Sequence, residues 1–385
     1  MPQLRFPGFN GEWNCLKLND FAERVTRKNG STSDIPLTIS AQHGLIDQRT
    51  FFSKAVASAD MSGYYLLKNG EFAYNRSSSG EFPFGSIKRL DQYKAGAVST
   101  LYICFGLRDQ SPVSDFIKWY FDSSKWHREA GLICAEGARN HGLLNVPTVG
   151  FFNTVHHIPV NKDEQEKIAV FLSLVDRRLT AQRRLVELLK KHKRGLLRYV
   201  FEENIEGDYY SFSEIASRQN EKITPTKDSR LDCIELENIE QETGMLLGSV
   251  PLSGQNSLKN LCKPSDIVFG KLRPYLRKFV FAENECAVSS ETWVLVAAKG
   301  IYPKFLFYLI QSEPFMRAAS VSSGTKMPRS EWSNVANAKF YVPDRTQQET
   351  IAACFSEIDR RILTSQRILT AAQAYKRGLL QQLFV

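Results

Sequence analysis

An internal repeat constrains the fold of this 385-residue chain more than any other feature of its sequence. Residues 161–201 align without a gap to residues 344–384. The two copies share a glutamine at 165 and 348 and an Asp-Arg-Arg triplet at 176–178 and 359–361. They also share a Lys-Arg-Gly-Leu-Leu run at 193–197 and 376–380. Because chance rarely gives agreement at so many matched positions, we infer a duplicated structural element.

Both copies have the features of a long helix. Asn161 and Asp344 stand at the same repeat position, where a side-chain oxygen caps a helix N-terminus. Glu164 and Gln347, three residues later, are expected to complete a capping box. A continuous helix over 162–199 would be about 57 Å long, at 1.5 Å per residue.

Apolar residues recur along each helix at alternating steps of four and three, which is the heptad pattern of a coiled coil. Gln182 and Ser365 place a polar group in the same layer of the two seams. Since a long helix with one apolar stripe requires a partner, we expect the two helices to pack against each other. The seam residues are Ile168, Leu172, Val175, Leu179, Val186 and Leu189 in the first helix, and Ile351, Phe355, Ile358, Ile362 and Leu369 in the second.

The regions between the helices also repeat, although more weakly. Leu18, Phe21, Ala22 and Arg24 correspond to Phe212, Ile215, Ala216 and Arg218. Runs of β-branched and aromatic residues predict strands, including one over 98–105, and short helices are expected over 113–121 and 303–311.

The expected fold is mixed α/β (α+β), with two similar globular domains joined by two long helices in an approximate two-fold arrangement. The expected boundaries are 1–155 for the first domain, 156–205 for the first helical region, 206–340 for the second domain and 341–385 for the second helical region.

Composition and motifs exclude several classes of protein. Hydrophobic residues are 43% and charged residues 24%, as in ordinary globular proteins. No run approaches the roughly 18 apolar residues of a membrane span, and residues 1–10 lack a signal-peptide pattern, so we expect a cytoplasmic protein that enters no membrane. The seven cysteines lack CxxC spacing, and no dinucleotide, P-loop, zinc-protease or nucleophile-elbow motif occurs. We therefore expect no metal site. We expect His156 and His157, at the entry to the first helix, to be solvated or half-buried.

Positive charge points to an acidic partner. The net charge is +9, and lysine and arginine displace the counterions condensed on nucleic-acid phosphates. Residues 271–278 cluster basic side chains around one tyrosine and one proline, and the proline favours an exposed loop. Since forked arginine donors bind phosphates and guanine edges, we predict DNA contact in both domains. The predicted residues are Arg76, Lys88 and Arg89 in the first domain, and Lys271, Arg273, Tyr275, Arg277, Lys326 and Arg329 in the second.

The first helix carries a further set of basic residues beside its seam. We expect them to form the solvated flank of a coiled coil, with contact to a partner subunit as the alternative. They are Arg177, Arg178, Arg183, Arg184, Lys190, Lys191, Lys193 and Arg194.

Four parts of the sequence carry a resemblance to a known family. They are residues 5–9 with Glu12 and Trp13, the repeat helices at 163–197 and 346–380, residues 265–275, and residues 323–329 with Trp332. Together they resemble the specificity subunit of type I restriction–modification systems, and the resemblance extends over nearly the whole chain.

The resemblance implies a DNA-reading subunit with no catalytic residues and no cofactor of its own. Each globular domain would be a target recognition domain that reads one half of a split, asymmetric double-stranded DNA sequence. The helices would pack antiparallel and set the spacer between the halves. Methyltransferase subunits, two in number, would dock on the helices and bring S-adenosylmethionine and the adenine-methylating site. Motor-nuclease subunits would add translocation and cleavage that depend on ATP and Mg, as a defence against phage.

Two other classes of protein stay open at this point. One is a stand-alone DNA-modifying enzyme, which would nick or methylate DNA as the purified chain with magnesium or S-adenosylmethionine. The other is a coiled-coil adaptor without DNA specificity, which would bind protein without shifting DNA.

Overall fold

The computed structural model describes residues 1–40, 44–51, 58, 60–80, 82–109, 111–134, 142–203, 207–321 and 327–385. They form two compact units, Met1–Ala181 with Leu369–Val385, and Gln182–Ile368. Each unit contains one globular domain and part of each long helix. The expected mixed α/β fold with two similar domains and two long helices is confirmed.

The first unit is built from short antiparallel strands covered by short helices. Its strands are β1 (Trp13–Lys17), β2 (Ala22–Arg24), β3 (Leu37–Ser40), β4 (Gly44–Asp47), β5 (Tyr65–Lys68), β6 (Phe72–Asn75), β7 (Ser86–Arg89), β8 (Ala95–Val98), β9 (Ile103–Leu107) and β10 (Val155–Pro159). Its helices are α1 (Leu18–Phe21), α2 (Gln48–Phe51), α3 (Ser114–Asp122), α4 (His127–Ile133) and α5 (Thr148–Phe152). The main sheet has the order β2-β9-β6-β7, and β1 pairs with β10. In the core, Phe72 stacks on Phe105 with ring centroids 5.1 Å apart.

One expected strand of this unit is wrong. The expected strand over 98–105 is interrupted, because β8 ends at Val98 and β9 begins at Ile103. Residues 99–102 between them form a turn in which the Tyr102 amide donates to the Ser99 carbonyl at 3.1 Å. The two strands belong to different sheets.

His156 is buried rather than solvated, with a relative exposure of 1%. Its ring nitrogens lie 2.9 Å from the Thr154 hydroxyl and 3.2 Å from the Tyr120 hydroxyl. The neighbouring His157 is half-buried, as expected. Burial, helped by the nearby His157, lowers the pKa of His156 from 6.5 to about 3.

The long helix α6 (Lys162–Arg198) leads through a π-helical turn, Tyr199–Glu203, into the second domain. The strands there are β11 (Asp208–Ser211), β12 (Ala216–Gln219), β13 (Lys222–Ile223), β14 (Asp232–Ile234), β15 (Val250–Pro251), β16 (Lys259–Cys262), β17 (Ile267–Gly270), β18 (Phe279–Phe281), β19 (Cys286–Val288), β20 (Thr292–Ala297) and β21 (Lys339–Val342). The helices are α7 (Phe212–Ile215), α8 (Pro303–Leu309), α9 (Glu313–Ser320), α10 (Trp332–Ala336) and α11 (Arg345–Gln382), with 3-10 turns at Leu236–Asn238, Leu252–Gly254 and Pro274–Leu276.

The two domains share part of their topology. The four-stranded sheet β2-β9-β6-β7 has its counterpart in β12-β20-β17-β18, and the pair β1-β10 has its counterpart in β11-β21. The short helices α1 and α7 follow the first strand in each domain and begin with equivalent capping boxes, since Asp20 accepts from the Lys17 amide and Glu214 from the Ser211 amide. The second domain adds a five-stranded sheet, β13-β16-β19-β14-β15, whose strand order does not occur among the described strands of the first.

Equivalent side chains fix the start of each long helix. The Asn161 side chain caps α6 by accepting from the Asp163 amide at 2.8 Å, and the Asp344 side chain caps α11 by accepting from the Gln347 amide at 2.9 Å. The expected capping-box role of Glu164 is wrong, because its carboxylate accepts both guanidinium donors of Arg5, at 2.7 and 2.8 Å.

A buried glutamine fastens each long helix to its own domain. The Gln165 amide donates to the Pro159 carbonyl and accepts from the Val113 amide, both at 2.7 Å. Gln348 repeats this arrangement, donating to the Pro343 carbonyl at 2.9 Å and accepting from the Tyr302 amide at 2.7 Å. Val113 and Tyr302 directly precede α3 and α8, so the same two bonds occur at the same place in both units.

Within each unit, segments of α6 and α11 lie side by side and run antiparallel. In the second unit, Gln182 donates to the Ser365 carbonyl at 2.9 Å and Lys193 pairs with Asp359 at 2.7 Å. In the first unit, Lys376 pairs with Asp176 at 2.5 Å. The predicted seam residues of both helices are buried or half-buried.

The basic residues beside the seam of α6 do not all lie in solvent. Lys193 was expected on the solvated flank, but it is buried, and its ammonium lies 5.4 Å from the centroid of the Tyr308 ring. Burial lowers the pKa of Lys193, and Asp359 opposes that shift. Its repeat equivalent Lys376 lies 4.6 Å from the Trp119 ring centroid in the first unit. The repeat therefore preserves a lysine held between an aspartate and an aromatic ring.

Candidate nucleic-acid interface

The predicted basic loop of the second domain connects β17 to β18 and has an unusual backbone. Arg273 and Arg277 both adopt the left-handed conformation, with φ of 53° and 49°, on either side of the 3-10 turn Pro274–Leu276. Proline at the start of the turn supplies the φ that the turn needs. The Leu276 amide donates to Arg273 at 2.9 Å and the Arg277 amide donates to Pro274 at 2.8 Å. Left-handed non-glycine residues cost free energy and tend to occur at functional sites.

A second segment, residues 328–330, is joined to this loop by backbone hydrogen bonds. The Arg273 amide donates to the Pro328 carbonyl at 2.8 Å, and the Ser330 amide donates to the Lys271 carbonyl at 2.9 Å. Leu272 and Arg329 form an isolated β-bridge. The structure thus brings three predicted residues, Lys271, Arg273 and Arg329, to one surface.

The cations of this surface differ in what they bind. Arg329 donates to Glu291 at 3.0 and 3.2 Å, and that contact lowers the pKa of Glu291. Arg277 donates to Glu313 at 2.6 Å. Among the described residues, Lys271 and Arg273 form no ion pair, so their positive charge is available to a ligand.

Apolar and aromatic groups lie beside these charges. Tyr275, at the tip of the loop, is 59% exposed, and Met327 is 49% exposed. Sequence reasoning missed Met327, because nothing in its local pattern distinguishes it. The predicted residue Lys326 lies outside the described residues.

Arg218 is another residue that sequence reasoning did not select. It is exposed on β12, and its guanidinium lies 4.8 Å from the Trp332 ring centroid and 5.9 Å from that of Trp293. Its only sequence signal was its match to Arg24 in the weak repeat. Stacking on two tryptophans holds the guanidinium in place while leaving it exposed.

The equivalent loop of the first domain follows β6, and equivalent backbone hydrogen bonds join it to residues 142–144. The Ser78 amide donates to the Gly142 carbonyl at 2.7 Å, the Leu144 amide donates to the Arg76 carbonyl at 2.9 Å, and Ser77 bridges to Leu143. In both domains, therefore, a loop leaving the third strand of the four-stranded sheet is tied to the segment that leads into α5 or α10.

The predicted cations of the first domain are occupied by internal bonds. Lys88 pairs with Asp122 at 2.6 Å, with both side chains at least four-fifths buried. Arg89 binds Asp91, Ser114 and Asp115 at 2.6, 2.8 and 2.6 Å, and its side chain is 13% exposed.

Arg76 donates to the Leu101 carbonyl at 2.8 Å and to the Val146 carbonyl at 3.4 Å. The three residues are half-buried and lie on or near β6 and β7, rather than projecting together. Their predicted contact with DNA stays a prediction.

The described part of the chain shows no other obvious chemistry. It contains no group of three or more histidine, cysteine or carboxylate side chains that could hold a metal ion. None of its helices combines the length and the apolar composition that crossing a bilayer requires.

Solved structures share this fold. A chain from a study of complex assembly and conformational transition of the type I restriction–modification system superposes with a TM-score of 0.57 at 14% identity, over 97% of both chains. The S subunit of a type I restriction–modification system from M. genitalium superposes with a TM-score of 0.58 at 14% identity, over 100% of this chain and 99% of that chain. The chain therefore has the fold of type I restriction–modification specificity subunits.

Sequence comparison adds nothing to this likeness. No protein-family model matches the chain, and no curated protein matches it.

Proposed function

We propose that this chain is the non-catalytic DNA-recognition subunit of a type I restriction–modification complex. One observation carries the proposal: in both domains, equivalent backbone hydrogen bonds join a loop of the four-stranded sheet to the segment that precedes α5 or α10. In the second domain that loop carries the half-buried Lys271 and the exposed Arg273 and Tyr275, and neither cation has a carboxylate partner among the described residues. Forked arginine donors suit phosphates and guanine edges, and the fold shared with S subunits supports the assignment.

Each domain reads one half of an asymmetric double-stranded DNA target in this proposal. Two domains with one topology present equivalent loops to similar groove surfaces, while their different side chains select different bases. The two loops carry different side chains, which supports recognition of a different half of the target by each domain.

The catalytic activities belong to partner subunits. Two methyltransferase subunits bring S-adenosylmethionine and methylate adenine, and motor-nuclease subunits bring ATP and Mg for translocation and cleavage. This assignment is supported by a solved structure of the same fold, which comes from a study of complex assembly in the type I restriction–modification system.

The main experiment maps methylated adenines in cells that express this chain with a methyltransferase subunit. Single-molecule sequencing should show one bipartite, asymmetric motif. Replacing residues 206–340 by the equivalent domain of a related chain should change one half of the motif and leave the other half intact. A change in both halves would contradict the modular proposal.

A second measurement separates this function from a stand-alone enzyme. The purified chain, incubated with DNA and either magnesium or S-adenosylmethionine, should neither nick nor methylate it. Turnover by the chain alone would overturn the non-catalytic assignment.

A further inference from the structure

An exposed arginine of the second domain lies on two tryptophan rings. Arg218 belongs to β12, and its guanidinium is 4.8 Å from the Trp332 ring centroid and 5.9 Å from that of Trp293. The two rings pack edge to face, with their centroids 5.5 Å apart. Among the described residues, Arg218 forms no ion pair and no side-chain hydrogen bond. The rings therefore support the guanidinium, while its N–H donors stay available to a ligand.

The two tryptophans are anchored in the core of the second domain. Trp293 is buried, and its ring centroid lies 5.8 Å from that of Phe269. Trp332, at the start of α10, contacts the buried Phe212 edge to face, with ring centroids 5.9 Å apart. A planar guanidinium that already rests on packed rings loses little conformational freedom when its donors bind a ligand.

This arginine lies beside the basic surface of the second domain. Glu291 accepts from Arg329, which belongs to the segment that is joined to the loop after β17. Trp293 follows Glu291 by two residues, and Trp332 follows Arg329 by three. The rings under Arg218 are therefore next to the pair that borders this surface, and the arginine extends it.

The first domain has the same arginine without the rings. Arg24 of β2 is the equivalent of Arg218, both in the weak repeat and in strand register. The positions that correspond to the two tryptophans are Ile103 of β9 and Thr148 at the start of α5. Arg24 is exposed, and no described aromatic ring lies within cation–π distance of its guanidinium. Among the described residues, the arginine is thus common to both domains, but its aromatic support is present in the second alone.

A supported guanidinium suits the edge of a guanine better than a phosphate. Phosphate contacts position a protein on DNA but carry no sequence information, and the flexible Lys271 and the nearby Arg273 can supply them. A bidentate contact with guanine O6 and N7 needs both donors of the fork at fixed positions. A side chain on a strand that is held by packed rings provides that precision better than a loop does. A contact that selects one base is also expected in one domain only, since the two domains read different halves.

We propose that Arg218 is a specificity-determining residue of the second domain, which reads one guanine through its forked donors, and that Trp332 is the positioning residue that holds the fork. The inference rests on the proposed function, in which the second domain reads one half of a bipartite target. That half then contains a G·C pair whose recognition depends on Arg218, whereas recognition of the other half does not depend on Arg24.

The first test compares the methylated-adenine motifs of variants expressed with a methyltransferase subunit. Arg218→Ala should let any base pair stand at one G·C position in one half of the motif and leave every other position unchanged. Arg218→Lys keeps the charge but not the fork, so it should relax the same position. Arg24→Ala is the matched control, because it removes the equivalent arginine without the rings, and it should leave the whole motif unchanged.

The second test measures binding of the purified complex to duplex oligonucleotides. Placing 7-deazaguanine at the relaxed position removes the N7 acceptor, which should weaken binding by the wild-type chain by about fivefold and binding by Arg218→Ala by less than about twofold. Trp332→Leu keeps an apolar side chain but removes the nearer ring. It should lower discrimination at that position by about threefold and leave discrimination elsewhere unchanged, which a general loss of structure would not do.

The outcomes separate this inference from the proposed function. If the wild-type complex methylates no bipartite motif, the proposed function fails and this inference fails with it. If the wild-type motif is bipartite but Arg218→Ala gives the same motif, only this inference is overturned, and an accompanying fall in thermal stability would show that Arg218 is structural. Equal weakening on every sequence, reproduced in the wild type by a neutral methylphosphonate in the target backbone, would show that Arg218 binds phosphate and would likewise overturn it.

Discussion

The two four-stranded sheets have equivalent strand orders, yet the predicted cations on and beside their third and fourth strands bind different groups. Lys88 and Arg89 of the first domain bind carboxylates of the chain itself. Lys271 and Arg273 of the second domain have no such partner among the described residues. The difference lies in the surroundings, because α3 carries Asp115 and Asp122 alongside β7 and therefore competes with any external phosphate.

A basic residue contributes to a binding surface only when its charge is not already satisfied. Removing only the cation of a half-buried ion pair leaves the carboxylate without its partner, and this lowers the stability of the folded chain. Removing an exposed, unpaired arginine costs little stability and affects binding. Variants of the paired cations on β7 and of the unpaired cations after β17 should therefore separate into two classes, one that loses stability and one that loses binding.

The largest expected effect is on stability in the first domain. Arg89→Ala removes hydrogen bonds to two aspartates and a serine, so the free energy of unfolding should fall by about 3 kcal/mol. Denaturant titration measures it, and the methylated motif should stay the same. The control is Arg273→Ala, which should change stability by less than about 0.5 kcal/mol. A stable Arg89→Ala chain with an altered motif would reverse the comparison.

The next effect is on recognition in the second domain. Arg273→Ala should lower discrimination at one half of the target by about 2 kcal/mol, since one bidentate base contact contributes that much. Binding assays against single-base variants of the target measure it. Equal weakening on all sequences would show instead that Arg273 binds phosphate.

Acid should affect the two units unequally. His156 has a pKa near 3 when folded and an ordinary value of 6.5, so the unfolded chain takes up the proton first as pH falls. The contribution of neutral His156 to the free energy of unfolding is complete above pH 6.5. Below that pH it decreases by about 1.4 kcal/mol for each pH unit. Thermal melts at pH 7.5 and 5.5 should show this loss, and His156→Gln should show much less of it. The second unit has one histidine, His192, which is exposed, so its stability should change less.

The smallest expected effect comes from freeing a paired cation of the second domain. Glu291→Gln removes the negative charge that Arg329 binds, so Arg329 becomes as free as Arg273. DNA affinity should rise by about 0.5 kcal/mol, which is the scale of an exposed ion pair. The rise should vanish in the double variant Glu291→Gln with Arg329→Ala. Unchanged affinity in Glu291→Gln would remove Arg329 from the DNA-binding surface.

Local patterns predicted the long helices closely. Caps and heptads place them over 162–199 and onward from 344, and the structure has α6 at Lys162–Arg198 and α11 at Arg345–Gln382. The short helices expected over 113–121 and 303–311 also occur, as α3 and α8. These elements depend on residues close in sequence, which is why periodicity reveals them.

Long-range pairing explains what the sequence did not predict. The run over 98–105 is continuous in hydrophobicity, but its two ends pair with different strands. Lys88 meets Asp122 only because β7 packs against α3. Lys193 lies in a run of basic residues, and nothing in that run distinguishes it from its exposed neighbours. Only its contacts with Asp359 and Tyr308, which are distant in sequence, show that it is buried.

The paired glutamines have a mechanical consequence. Gln165 and Gln348 each hold a helix start and a domain backbone together through two buried hydrogen bonds, and a swivel of the domain about its helix would leave those groups unsatisfied, at about 1–3 kcal/mol for each. A torque applied to either helix is therefore transmitted to its attached domain, so the loop after β6 and the loop after β17 each keep a fixed orientation relative to the helix that carries their domain.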